Sequence, residues 1–278
     1  MNNLTSKLNS EYFNIYYGLL AYYNVATPPK FRLNNNVIPF IAYERIRWDN
    51  NNFDFKNSIE WSKVSNNLGW YDYTYGYNYL IPRIYNKTIN NYLRWAIKNN
   101  IKHYYTEAYP NWAEGPKYWI LAKLLWEPNQ DVQKLEEEWY IKFCGKESAV
   151  FLKKFYNIWE DYWTISIHKS NWYNEKTTFL PFNDLRYMSL INQSMVIDSE
   201  LALINALKFA KGKDKERLLM VYKMWGLYKV CIEEFIKGNI QYSKDLKKSN
   251  KIINKLKSLV NDDIHHNTIK YILNNSNG

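Results

Sequence analysis

The chain has 278 residues, with 37 basic and 27 acidic side chains for a formal net charge of +10. A hydrophobic content of 46%, with 26 Tyr, 12 Trp and 12 Phe, excludes wholesale disorder; only 9 Gly, 8 Pro and 2 Cys exclude collagen-like, low-complexity and disulfide-framework classes. The charge is uneven, since residues 208–278 carry 15 Lys/Arg against 7 Asp/Glu whereas residues 126–207 carry 8 against 12.

Along the first hundred residues, apolar runs alternate with helical patterns. Phe13–Tyr23 is a nearly continuous apolar and aromatic run that ends at Pro28 and Pro29, and Val37–Tyr43 is rich in β-forming residues. A short helix is predicted over Phe55–Val64, a third strand over Leu68–Tyr75, a helix over Thr88–Asn99 and a fourth strand over Ile101–Ala108. Strands apolar on both faces and separated by helices argue for parallel βα units, either about half of a (β/α)₈ barrel or a small open sheet.

From Gly115 the period becomes helical. Pro116 suits a first helical turn, Lys117–Trp126 follows, and Asn129 or Asp131 can cap a helix carrying Val132, Leu135, Trp139 and Phe143 on one face. Leu152, Phe155, Tyr156, Trp159 and Trp163 mark a further helix, residues 164–184 read as irregular, and helices are predicted over 185–210, 215–237 and 246–273. The predicted organisation is thus α/β followed by all-α: a partial (β/α) TIM-barrel-like region at residues 1–115, with about four parallel strands, packed on a helical C-terminal domain at residues 116–278.

No run reaches the roughly 18 apolar residues that a membrane helix needs, and no charged segment followed by an apolar run marks a signal peptide. A soluble chain of unknown compartment is expected, with no membrane partner. Cys144 and Cys231 stand apart and are expected as buried free thiols. No GxGxxG, P-loop, HExxH or GxSxG is present, so neither a cofactor nor a metal is expected. His103 reads as a core or surface histidine, and His265 and His266 as exposed tail residues.

The most specific stretch runs from Tyr105 to Val132: a strand ending on a carboxylate, Glu107, then an aromatic loop, then a helix opening after Gly115-Pro116. Here the chain resembles a glycoside-hydrolase-like family known as domain of unknown function 4838, a TIM-barrel domain with a helical extension. The residues that carry the resemblance are Glu107, Lys123-Leu-Leu-Trp-Glu-Pro128, Asp131-Val132 and Phe143-Cys-Gly145. Looser matches fall upstream in the same order: Leu20-Ala-Tyr22 with Pro28-Pro29, Asn36-Val37 through Glu44-Arg45, and Trp61 with Tyr71-Asp-Tyr73.

The resemblance spans roughly residues 13–165 and starts midway along the family's barrel. It therefore implies a fragment, or a barrel completed by a protein partner, and a site for saccharides.

Glycoside hydrolysis needs two carboxyl groups, and barrel sites gather at strand C-termini. Glu107, Glu44 and Asp72 each lie in or at the end of a predicted strand and are the catalytic candidates. For Glu44 the bland alternative is an ion pair with Arg45; for Asp72 it is a bond to neighbouring backbone. Trp112 and Tyr109, then Tyr75 and Tyr22, are candidate saccharide platforms, because a flat ring covers the C–H face of a sugar; the competing reading is ordinary core packing.

The Lys-rich C-terminal segment is the remaining candidate surface. Its interleaved residues are Asn, Ser and Leu and not a stacking aromatic series, so nucleic acid is not the expected partner. Three function classes remain open: a saccharide hydrolase or binder, a catalytically silent binding or assembly protein, and a helical nucleic-acid binder.

Overall fold

The computed structural model describes residues 1–9, 11, 12, 15–48, 53–74, 79–108, 112–177 and 179–261, the side chains of residues 9 and 261 apart. In chain order the elements are α1 (Asn2–Asn9), β1 (Tyr17–Ala21), β2 (Val37–Ala42), α2 (Phe53–Val64), β3 (Leu68–Tyr73), α3 (Asn86–Lys98) and β4 (Ile101–Glu107). Then come α4 (Lys117–Trp126), α5 (Val132–Cys144), α6 (Lys146–Asp161), α7 (Gln193–Phe209), α8 (Gly212–Ile236) and α9 (Asn250–Asn261). The strands form one parallel sheet in the order β1-β2-β3-β4. A four-stranded parallel sheet alternating with helices and followed by a helical region is the fold class expected from the sequence.

The chain divides into two compact units. One comprises residues 1–74 and 88–108, the other residues 75–87 and 109–278. In the first unit, α2 and α3 cover one side of the sheet. Trp70 of β3 stacks on Trp95 of α3 with ring centres 5.7 Å apart, and its Nε1 donates to Ser58 Oγ of α2 at 3.0 Å. Trp48 joins this cluster against Trp70, Tyr92, Trp95 and Phe55. β2 lies between two strands and is buried along nearly its whole length. Part of the aromatic excess of the sequence is therefore core.

The second unit has a separate core. Tyr79, Trp163, Trp172 and Tyr187 pack edge-on or tilted on one another, and Trp163 Nε1 donates to the Pro82 carbonyl at 2.7 Å. Residues 79–87, which lead into and open α3, thus belong to the helical unit. Asp131 caps α5, its carboxylate accepting from the backbone N–H groups of Gln133 and Lys134.

Two predicted helices differ from the structure. The span 185–210 is a 3-10 turn at Leu185–Met188 followed by α7, because the Asn192 side chain accepts from Met195 N–H and starts a new helix there. The span 246–273 begins as a 3-10 turn at Ser243–Lys248 and continues as α9; its residues from 262 onward lie outside the described residues. α1 has no counterpart among the predicted helices, because Asn2–Asn9 is polar and shows no long apolar period. Both cysteines are buried free thiols, with burial pushing the Cys144 pKa up to about 12.

Candidate functional site

Parallel strands deliver their C-terminal ends to one edge, and alternation sends successive side chains to opposite sides. In β3, Trp70 and Asp72 point to the side covered by α2 and α3, so Tyr71 and Tyr73 point to the other. Ile101 pairs with Leu68, but Gly69 pairs with His103, leaving Lys102 as an extra residue in β4. This bulge reverses the alternation. Without it, Glu107 would share the covered side with Ile101; with it, His103, Tyr105 and Glu107 stand beside Gly69, Tyr71 and Tyr73 on the uncovered side.

On the covered side, Asp72 is the hub of a buried polar network. Its Oδ1 accepts from Arg45 N at 3.0 Å and Tyr73 N at 2.8 Å, and its Oδ2 accepts from Tyr104 OH at 2.7 Å. The Arg45 guanidinium donates to the carbonyls of Ile41 at 3.0 Å and Tyr71 at 2.9 Å and to Asp54 Oδ1 at 3.1 Å. Its Nε lies 3.1 Å from Asp54 Oδ2, close enough for charge attraction but off line for a hydrogen bond. The same group sits 4.1 Å above the Trp70 ring.

Asp54 is fully buried, and burial outweighs the pull of Arg45, so its pKa is pushed up from 3.8 to about 6. This network fixes the turn after β2 to the end of β3. It also places Asp72, 1% exposed, with both oxygens occupied by protein donors.

On the uncovered side, Tyr71 OH donates to Glu107 Oε1 at 2.7 Å, and the Tyr71 and Tyr105 rings lie 4.8 Å apart with a 32° tilt. Tyr22, just past the end of β1, shares a hydrogen bond with Tyr73, and both phenols feel the Glu107 charge. Burial, chiefly, pushes Tyr22 up to about 12 and Tyr73 higher still, so both remain neutral hydroxyls at neutral pH. Farther back, the Phe40 ring lies against Gly69, where an added Cβ would meet it at 2.6 Å. Leu20 and Tyr105 on this side are 44% and 54% exposed. The result is an open aromatic floor with one carboxylate at its C-terminal edge.

The candidate residues are thus sorted by side. Glu107 and Tyr22 come together on the open face, through Tyr73. Asp72 stands on the opposite, covered side. Glu44 is 3% exposed at the end of β2, next to an Arg45 whose guanidinium is engaged by Asp54. Trp112 belongs to the helical unit and is 40% exposed in the turn before α4. Tyr75 and Tyr109 lie outside the described residues. Tyr71, Tyr73 and Tyr105 are not among the expected site residues; the sequence signals only Tyr105, which stands two residues from Glu107 in the same strand.

Elsewhere in the first unit, an open cavity of about 610 Å³ lies between α1 and the segment after β1, lined by Asn2, Leu19, Phe31 and Trp61 among others, and it holds none of these candidates. Among the described residues, no group of three His, Cys, Asp or Glu is placed to hold a metal ion, and no helix is long and apolar enough to cross a membrane.

The family described as Domain of unknown function (DUF4838) matches residues 1–157, more than half of the 278-residue chain. The chain belongs to the DUF4838 family. The DUF4838 match takes in all four strands, the open face with Glu107, and the helices as far as most of α6. No curated protein and no solved structure matches the chain.

Proposed function

We propose that this DUF4838 chain is a glycoside-hydrolase-like protein that binds a saccharide on the open face of its sheet, at the strand C-terminal edge. The observation that carries the reading is the Tyr71–Glu107 pair standing on a face floored by Tyr105 and bordered by Tyr22 and Tyr73. A pyranose offers one face of C–H groups, which a flat ring covers, and a rim of hydroxyls. A carboxylate accepts from those hydroxyls, and neutral phenols both donate and accept.

Tyr105 is the platform to test, because it is more than half exposed and its removal leaves the core intact. Tyr105→Ala should weaken oligosaccharide binding about 3- to 10-fold, the range for one aromatic contact. Unchanged affinity for every sugar that binds the native chain would remove the face from the reading.

Hydrolysis needs a second carboxyl group, 5–5.5 Å away for retention or 6.5–9.5 Å for inversion. Glu107 is the proposed acid or base, and Glu44, at the C-terminal end of β2, its proposed partner; Asp72 faces the covered side. Glu107→Gln should abolish turnover of a substrate while the fold persists; full turnover in that variant would remove Glu107 from the mechanism.

A second reading, a catalytically silent assembly protein, is favoured by the exposure of Leu20 and Tyr105 on one face together with β1 and β4 at the two edges of the sheet. A chain that sediments strictly as a monomer up to high micromolar concentration argues against self-assembly.

A further inference from the structure

We infer that the open face rejects anionic sugars and takes sugars bearing a free amino group in preference to neutral ones. This rests on the saccharide reading above and narrows it. Of the strand side chains on that face, Glu107 alone carries a charge. The four strands contain one Lys, Lys102, and the bulge takes it out of the ladder next to His103; their other acid, Asp72, faces the helices.

Among the described strand residues the one lysine is Lys102, five positions before Glu107 near the start of β4, so no strand cation stands beside Glu107. Burial and the neighbouring Lys102 hold His103 below its ordinary 6.5, which leaves a neutral imidazole, and the phenols of Tyr22 and Tyr73 are neutral. Glu107 spends one hydrogen bond on Tyr71, and a carboxylate has about four acceptor positions, so it retains capacity for an ammonium group. A uronate or sulfate ring on the same floor would bring a second negative charge beside Glu107 with no cation between them.

The net charge of +10 points the other way, because a cationic protein attracts anionic glycans in general. Little of that charge belongs to the unit that carries the face. The excess is concentrated in residues 208–278, which belong to the helical unit, whereas residues 1–74 and 88–108 carry 10 Lys/Arg against 7 Asp/Glu. Local charge decides selectivity within a few ångströms, since exposed charges are screened beyond about 8 Å at physiological salt.

The test uses calorimetric titration of the full chain at pH 6.5 with three β-1,4-linked tetramers: glucosamine, glucose and a uronic acid. The uronate is read as a competitor of the glucose tetramer, so that attachment to the Lys-rich segment does not register. We expect the glucosamine tetramer to bind about 5-fold tighter than the glucose tetramer at 50 mM salt, the advantage shrinking at 500 mM.

Glu107→Gln should bring the glucosamine and glucose tetramers to equal affinity, whatever it does to both, and Tyr71→Phe, which leaves the carboxylate in place, should keep their ratio. Competition by the uronate equal to that of the glucose tetramer overturns the inference, as does an amine advantage that survives in Glu107→Gln. Failure of all three sugars to bind the folded chain overturns the saccharide reading itself.

Discussion

Asp72→Ala separates a structural carboxylate from a substrate-binding one. The substitution removes an acceptor that takes Arg45 N, Tyr73 N and Tyr104 OH at 3.0, 2.8 and 2.7 Å, all beneath a side chain that is 1% exposed. The two backbone donors left without a partner each cost about 1–3 kcal/mol and, sharing one cavity, are less than additive, while Tyr104 OH keeps Tyr92 OH at 3.2 Å. The expected loss is roughly 3–5 kcal/mol, a fall in Tm of roughly 6–20 °C for a chain of this size.

Asp72→Asn keeps an oxygen for the two backbone donors and turns its new amide N–H toward Tyr104 OH, so all three bonds survive as neutral ones. It should lose only about 1–2 kcal/mol. Thermal melts followed by circular dichroism give both values, and titration with an oligosaccharide that binds the native chain gives the second readout. Because Asp72 faces the helices, affinity measured well below the lowered Tm should be unchanged in both variants. A Tm within about 2 °C of the native value combined with lost affinity refutes this placement and returns Asp72 to the site.

Asp54 should impose a pH signature. Its carboxyl is held up at about 6 against an ordinary 3.8, so the folded state favours the protonated form. The stability it contributes is full below pH 3.8 and is lost as pH rises through 6, on the order of 3 kcal/mol in all. Unfolding free energies of the native chain minus those of Asp54→Asn should therefore fall between pH 3.5 and 6.5; a flat or rising difference contradicts the burial argument. Gly69→Ala places a Cβ 2.6 Å from the Phe40 ring and should cost about 1–3 kcal/mol, while Phe40→Leu in the same chain recovers most of it. Equal melts for native and Gly69→Ala chains would mean that the Phe40 ring swings away freely.

The order of strands and helices was legible because it rests on composition. Val37–Tyr43 and Ile101–Ala108 bracket β2 and β4 within a residue or two, and Phe13–Tyr23 contains β1. Which residues of each strand share a side was not legible. Tyr71 and Trp70 are equally plausible core residues, and nothing in Leu68–Tyr73 says which side the helices cover.

The bulge at Lys102 is a backbone feature with no glycine or proline in β4 itself to mark it, yet it decides that Glu107 meets Tyr71. Arg45 was read beside Glu44 as a sequence neighbour, whereas its closest charge partner, Asp54, comes from the first turn of α2, nine residues on. Residues 79–87 carry no periodic pattern, and their place in the core of the helical unit comes from long-range contacts with Trp163, Trp172 and Tyr187.

The crystal structure of the chain with the tightest-binding tetrasaccharide is the most direct test of saccharide binding on the open face. The account predicts a sugar ring in van der Waals contact with Tyr105 or Tyr71 and a sugar donor within hydrogen-bond distance of a Glu107 carboxylate oxygen. Sugar density confined to any other surface, with Tyr105 and Glu107 untouched, would contradict it.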